Sequence, residues 1–256
     1  MNQSILDIDA VSLIFGGIHA IEDVSFRVDK GSLVGLIGPN GAGKTSIFNV
    51  LTGMYVPSSG RIVFDGQVLE KRPPHQIVEM GIARTFQNIR LFKYMSILEN
   101  VLVPLTQEMT YGKIESLLRL PRYWAQEREM KEKALDLLRI FDLDQEAEEM
   151  AASLPYGKQR KLEIVRALAA QPKLLLLDEP AAGMNPTETA ELMETIALIR
   201  ERFDVTILLI EHDMKLVLGI CEHLVVMDHG RVIAQGRPKE VVTRKEVVTA
   251  YLGEEE

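Results

Sequence analysis

Residues 38–45, Gly38-Pro39-Asn40-Gly41-Ala42-Gly43-Lys44-Thr45, fit the pattern G-x-x-x-x-G-K-[ST] and constrain the chain more than any other stretch. A loop of this kind cradles phosphate oxygens with backbone N–H groups, while the lysine reaches the β and γ phosphates and the Thr hydroxyl is offered to Mg²⁺. Glycine allows positive φ and a close approach of backbone to ligand. The flanks agree, because residues 33–37 read as a buried apolar strand and 45–51 as a helix that begins with Thr45 and Ser46. A strand running into a helix N-terminus presents free amides and the positive end of the helix dipole to an anion.

The chain has 256 residues, 46 % of them apolar, which suffices for a sizeable core in one large α/β domain or two small ones. A formal charge of −8 argues against a nucleic-acid backbone as the main partner. The single cysteine, Cys221, cannot form an internal disulfide and suits a reducing compartment. Asp7 and Asp9 stand where a secretion signal would be basic and then apolar, so no signal is expected. No apolar run approaches the ~18 residues that span a bilayer, so any membrane link is expected to run through another chain.

Leu6, Ile8 and Ala10 alternate with polar residues, as do Val24, Phe26 and Val28, which predicts two half-buried strands, with Phe15 ending the first. Residues 61–64 and 67–69 around Asp65-Gly66 predict a hairpin. Between 91 and 159 the pattern turns helical, with Met130, Ala134, Leu137, Leu138 and Phe141 on one face. The acidic group Asp142, Asp144, Glu146, Glu148 and Glu149 reads as solvated surface, and Pro104 and Pro121 as brackets of a short helix near 112–120. Residues 173–177 and 206–210 are continuous apolar runs, the mark of strands covered on both faces in a parallel sheet. Asn185, Pro186 and Glu188 supply an N-cap, an N1 proline and a capping-box acid for a helix through Ile199. Residues 224–227 and 232–234 around His229-Gly230 predict a second hairpin. The doubled Lys-Glu-Val-Val-Thr at 239–243 and 245–249 reads as adjacent helical turns.

Asp178-Glu179 follows the buried run, so two carboxylates emerge at the carboxyl end of a strand, where open α/β sheets bind ligands. Asp178 can hold Mg²⁺ through water, and Glu179 can polarise an attacking water.

The order of the phosphate loop, Gln87, Leu154-Pro155-Tyr156-Gly157-Lys158-Gln159, the strand ending in Asp178-Glu179, and His212 resembles the ATP-binding cassette (ABC) ATPases over nearly the whole chain. The resemblance implies an α/β P-loop NTPase fold: a RecA-like core with an antiparallel β subdomain in 1–90 and 160–256, and a helical subdomain in 91–159. It implies that Gln87 senses Mg²⁺ and the γ phosphate, that His212 is the switch histidine, and that Phe15 stacks on adenine. The rival readings are a solvent-exposed polar residue for Gln87, a structural histidine for His212 and a core aromatic for Phe15.

The signature departs from the common Leu-Ser-Gly-Gly-Gln. Pro155 lacks both a hydroxyl and a backbone N–H, and Tyr156 replaces the first glycine, so contact with nucleotide leans on Gly157 and the helix N-terminus. Asn185 replaces a usual aspartate. With Ala181-Ala182-Gly183-Met184-Asn185-Pro186 and Ala250-Tyr251-Leu252-Gly253-Glu254, these strings are similar to the ATPase subunits of branched-chain amino-acid importers. That likeness implies a second ATPase subunit, two transmembrane permease subunits, indirectly a solute-binding protein, no nucleic acid, and a peripheral place on the cytoplasmic face of the membrane. The alternatives are an ABC ATPase for another cargo and a soluble nucleotide-switch module.

Overall fold

The computed structural model of the protein describes residues 3–110 and 112–252. The chain forms two compact units, one of the residues up to Gln87 together with those from Lys173 onward, the other spanning Asn88–Pro172. The first contributes β1 (Ser4–Phe15), β2 (Ile18–Asp29), β3 (Leu33–Ile37), α1 (Lys44–Leu51), β4 (Ser59–Phe64), β5 (Gln67–Val68), α2 (Pro74–Met80) and β6 (Ile82–Arg84). The second holds α3 (Ile97–Leu105), α4 (Lys113–Leu117), α5 (Pro121–Ile140) and α6 (Tyr156–Leu168). The chain then returns to the first unit with β7 (Leu174–Asp178), α7 (Pro186–Phe203), β8 (Thr206–Ile210), α8 (Met214–Ile220), β9 (His223–Asp228), β10 (Arg231–Gly236), α9 (Pro238–Val241) and α10 (Lys245–Leu252).

The first unit carries two sheets, ordered β2-β1-β4-β5 and β10-β9-β3-β8-β7-β6. The first is antiparallel; in the second, β9 through β6 run parallel and β10 joins β9 antiparallel at the edge. The uninterrupted apolar runs of β3, β7 and β8 are buried at every position, as strands covered on both faces must be. One core joins Ile8, Val24 and Phe26 of the antiparallel sheet to Phe48 and Leu51 of α1 and to Leu36, Leu176 and Leu208 of the parallel one. Each such side chain contributes roughly 1.5–3 kcal/mol on burial, which fixes where α1 and its preceding loop sit on the sheet ends.

Alternation in β1 fails at one predicted position. A bulge between Ile8 and Val11 places Ala10 at φ 49° and in solvent, and passes the inward role to Val11 and Leu13. Asn185 accepts from the N–H groups of Thr187 and Glu188 while Glu188 accepts from that of Asn185, so the capping box starts α7, which runs to Phe203 rather than Ile199.

In the second unit α3 packs on α5 and α6, and Val101, Leu105, Ala134, Leu138 and Leu162 on these helices are buried. The unit ends at Pro172 rather than at 159 because α6 begins at Tyr156 and buries Leu162 and Val165 within it. Ser96 and Glu99 form a capping box for α3. The short helix expected between Pro104 and Pro121 is α4; Pro104 itself lies in the last turn of α3, where only one i→i−4 bond is lost before the helix ends. Pro121 occupies the first turn of α5. In the acidic stretch Glu146 pairs with Lys158, and Glu148 lies 3.4 Å from Lys131.

Candidate functional site

The parallel order of β3, β7 and β8 brings their carboxyl ends side by side, and each end delivers one part of the site. After β3 comes the glycine loop. A Cβ on Gly38 would lie 2.1 Å from the Met227 carbonyl oxygen, and one on Gly43, at φ 100°, 2.6 Å from that of Ala20, so the loop closes only with glycine at both positions. Gly43 enters α1 with no side-chain cap, which leaves the first turn, with Lys44, Thr45 and Ser46, to be satisfied by an anion. Asn40, Gly41 and Thr45 are exposed, Ala42 is buried, and Pro39 is half-buried. Lys44 curls back, its Nζ donating to the carbonyls of Gly38 (2.7 Å) and Pro39 (2.9 Å). Burial holds its pKa below the ordinary lysine value, against the opposing charges of Glu179 and Asp178.

β7 ends in Asp178, paired in register with Ile210 of β8. Glu179 follows at φ 44°, its N–H donating to the Ile210 carbonyl (2.9 Å), and the left-handed turn sets the two carboxylates in different environments. Glu179 Oε2 accepts from Gln87 Nε2 at 2.6 Å, and His212 Nδ1 lies 3.9 Å from the same oxygen. The His212 ring is 61 % exposed, so it faces the solvent side of the site and not the core. Lys44, Gln87, Asp178, Glu179 and His212 therefore converge at the carboxyl end of the parallel sheet, although they are spread over 169 positions from 44 to 212.

The family model described as "ABC transporter" matches residues 21–182. The chain belongs to the ABC transporter family. A second model, for the branched-chain amino acid ATP-binding cassette transporter, matches residues 231–256. Among curated proteins, the high-affinity branched-chain amino acid transport ATP-binding protein BraF of Pseudomonas aeruginosa is 44 % identical over 254 residues, covering 99 % of this chain and all of that one. LivG of Escherichia coli, with the same description, is also 44 % identical, again over 99 % of this chain and all of its own. Among solved structures, the ADP conformation of an ATP-binding cassette of an ABC transporter superposes with a TM-score of 0.85 at 33 % identity, covering 98 % of this chain and 100 % of the other. A nucleotide-free cassette gives 0.84 at the same identity and coverage.

As an ABC ATPase the protein binds and hydrolyses ATP, and the glycine loop fits that substrate: Gly38 and Gly43 leave no room for a Cβ, and the loop runs into an uncapped helix start beside the buried Lys44. The residues that would serve Mg²⁺ are Thr45, Asp178 and Gln87, which offer a hydroxyl, a carboxylate and an amide. Among the described residues no cluster of three or more His, Cys, Asp or Glu side chains could hold a metal. That sparse set suits Mg²⁺, which is usually held by one or two carboxylates plus substrate phosphates and waters.

Phe15 is 45 % exposed at the end of β1 and meets Tyr55 edge-on, with ring centroids 5.0 Å apart, so the cassette keeps an aromatic face in solvent there instead of burying it. Tyr156 and Gly157 open α6 in the other unit, with Pro155 as its N-cap; the Tyr156 ring is 42 % exposed and its hydroxyl accepts from Arg160 at 3.4 Å. Tyr251, within the terminal string, places its phenol against the Gly38 backbone, and burial raises its pKa. Gly253 and Glu254 of that string lie outside the described residues.

Two site residues carry no mark in the sequence. Arg84, three before Gln87, donates to Asp178 (2.6 Å) and Asn49 (2.8 Å), with its guanidinium over the rings of Phe48 (5.4 Å) and Phe86 (5.1 Å). Glu211, just before His212, is buried. Each adjoins a functional residue, but only tertiary pairing shows what it touches. Among the described residues no helix is long and apolar enough to cross a membrane.

Proposed function

We propose that the chain is the ATP-hydrolysing subunit of an importer for branched-chain amino acids, working as a dimer with a second ATPase subunit against two membrane permeases fed by a solute-binding protein. It would lie on the cytoplasmic face of the membrane. The observation that carries the enzymatic part is the convergence of Lys44, Gln87, Glu179 and His212 at the carboxyl end of the parallel sheet. The cargo reading rests on relatives of the same length whose names specify branched-chain amino acids.

In this reading the free backbone N–H groups of the 38–46 loop, which Pro39 does not supply, and the Lys44 ammonium bind the phosphates, Phe15 stacks on adenine, and Tyr156 and Gly157 of one subunit close over the nucleotide of the other. Thr45, Asp178 and Gln87 would hold Mg²⁺, which offsets charge on the phosphate oxygens. Glu179 takes a proton from water as the water oxygen bonds to the γ phosphorus; the bond from that phosphorus to the bridging oxygen breaks, giving ADP and phosphate. Lys44 stabilises the charge that develops, and His212 supports the γ phosphate in the closed dimer. Gln87, bonded to Glu179, reports the filled site to the rest of the chain.

A Glu179→Gln chain in the assembled complex should keep ATP bound and lose turnover by about 10²-fold or more; steady hydrolysis near the parent rate would remove Glu179 from its role. Labelled leucine uptake into proteoliposomes holding the whole complex tests the cargo. ATP-driven accumulation is expected, and hydrolysis that no branched-chain amino acid stimulates, with no uptake, would overturn that assignment.

A further inference from the structure

Glu211 is a carboxyl residue only 1 % exposed, and it is unused in the chemistry above. Its Oε1 accepts from the Ala181 N–H at 2.8 Å, and its Oε2 from those of His212 (3.0 Å) and Asp213 (3.3 Å). Ala181 lies two residues beyond Glu179, in the segment that leads to the Asn185 cap of α7. Asp213 in turn caps α8 by accepting from Lys215 and Leu216. One carboxylate thus holds the exits of both β7 and β8. Only Asp and Glu present two oxygens that both accept, and the backbone donors at strand ends need partners when buried. The same Oε2 lies 3.8 Å from His212 Nδ1, and Glu179 Oε2 lies 3.9 Å from that nitrogen.

We propose that Glu211 is a positioning residue that joins the loop following Glu179 to the switch imidazole as one unit, so that Glu179 and His212 keep a fixed separation. The inference rests on the reading of Glu179 and His212 as groups that act at the γ phosphate. A purely structural brace would affect stability alone; a positioning residue affects turnover through His212.

The test is Glu211→Gln in the full chain, assembled with its partner subunits. Glutamine keeps the volume but replaces one acceptor oxygen with an NH₂ that faces backbone donors. Since the Lys44 loop is untouched, KM for ATP should stay within about twofold while kcat falls about tenfold or more, the size of loss that misplacement by a fraction of an ångström produces. In a His212→Ala background the same change should cost less than about twofold. Hydrogen exchange should quicken together at Ala181, His212 and Asp213 and remain unchanged in α1. An unaltered kcat, full additivity with His212→Ala, or exchange that quickens at 212–213 but not at 181 would each overturn the proposal. If the parent complex hydrolyses no ATP, the functional reading fails, and the exchange pattern still decides whether Glu211 couples the two segments. Glu211→Asp, with both oxygens on a shorter stem, serves if the amide variant does not fold; the same split between kcat and KM is expected.

Discussion

Replacing Arg84 with methionine tests how the site is held. The Arg84 and Asp178 side chains are each 6 % exposed and meet at 2.6 Å, so solvent screens the pair little. The second guanidinium nitrogen ties Asn49 of α1, the ring faces of Phe48 and Phe86 flank the group, and Nε has no hydrogen-bond partner. The buried pair therefore already carries a desolvation cost, and its worth lies in neither charge being left alone. Arg84→Met strands the Asp178 carboxylate, and breaking a buried pair from one side costs about 3–5 kcal/mol. The lost Asn49 bond is part of that figure, since Asn49 can turn to water. At about 2–4 °C per kcal/mol for a unit of this size, the calorimetric transition of the unit carrying both sheets should fall by roughly 6–20 °C. The double replacement Arg84→Met with Asp178→Leu removes both charges and should recover most of the loss, because well-packed apolar residues substitute for a buried pair at little cost. Urea titration of the parent, the two single variants Arg84→Met and Asp178→Leu, and the double variant at constant m-value supplies the free energies. A single-variant loss under about 1 kcal/mol, or a double variant as destabilised as the sum of the singles, would refute the account of Arg84 and Asp178 as a mutually dependent buried pair.

Burial holds His223 below its ordinary pKa of 6.5, with Asp29 opposing the shift. The unfolded chain then binds the proton more readily, so stability is intact above pH 6.5 and falls as pH drops through and below it; His223→Gln should flatten the slope of Tm between pH 7 and 5, and an unchanged slope would exclude the residue. Burial pushes the Cys221 thiol up to about 12, so a thiol-specific chromogenic reagent at pH 8 should react with the native chain at least about 100-fold more slowly than with the urea-unfolded chain. Asn185→Ala removes the acceptor of two backbone N–H groups at the start of α7 and should cost about 1 kcal/mol in urea unfolding, with Asn185→Asp near neutral. If Asn185→Asp loses as much as Asn185→Ala, the cap geometry is not the source.

What could be read in the chain was governed by how local the determinant is. The glycine loop is legible because its function is a backbone shape, and the shape needs glycines at set intervals: Gly38 and Gly43 press against the carbonyls of Met227 and Ala20, contacts that only a missing Cβ permits. The strands β3, β7 and β8 are legible because burial on both faces confines polar residues to the strand ends, and the α7 start because its cap and acid lie three residues apart. Ala10 misled because a bulge reverses the faces of a strand without altering its composition. Pro104 and Pro121 enclosed α4 as expected, but that Pro104 belongs to α3 was not legible, because a proline in the last turn of a helix costs a single bond and does not end the helix where it stands. Arg84 and Glu211 were invisible for a deeper reason. Each is a charged residue beside a buried strand, which by composition reads as surface, and what makes each one internal lies far off in sequence: Asp178 is 94 positions from Arg84, and Ala181 is 30 from Glu211. The groups that touch phosphate repeat a local pattern because phosphate chemistry does not change, whereas the groups that hold them in place answer to whichever strands happen to end beside one another. A reading of this site from residues alone therefore finds the reacting atoms first and the charges that hold them only when the sheet order is known.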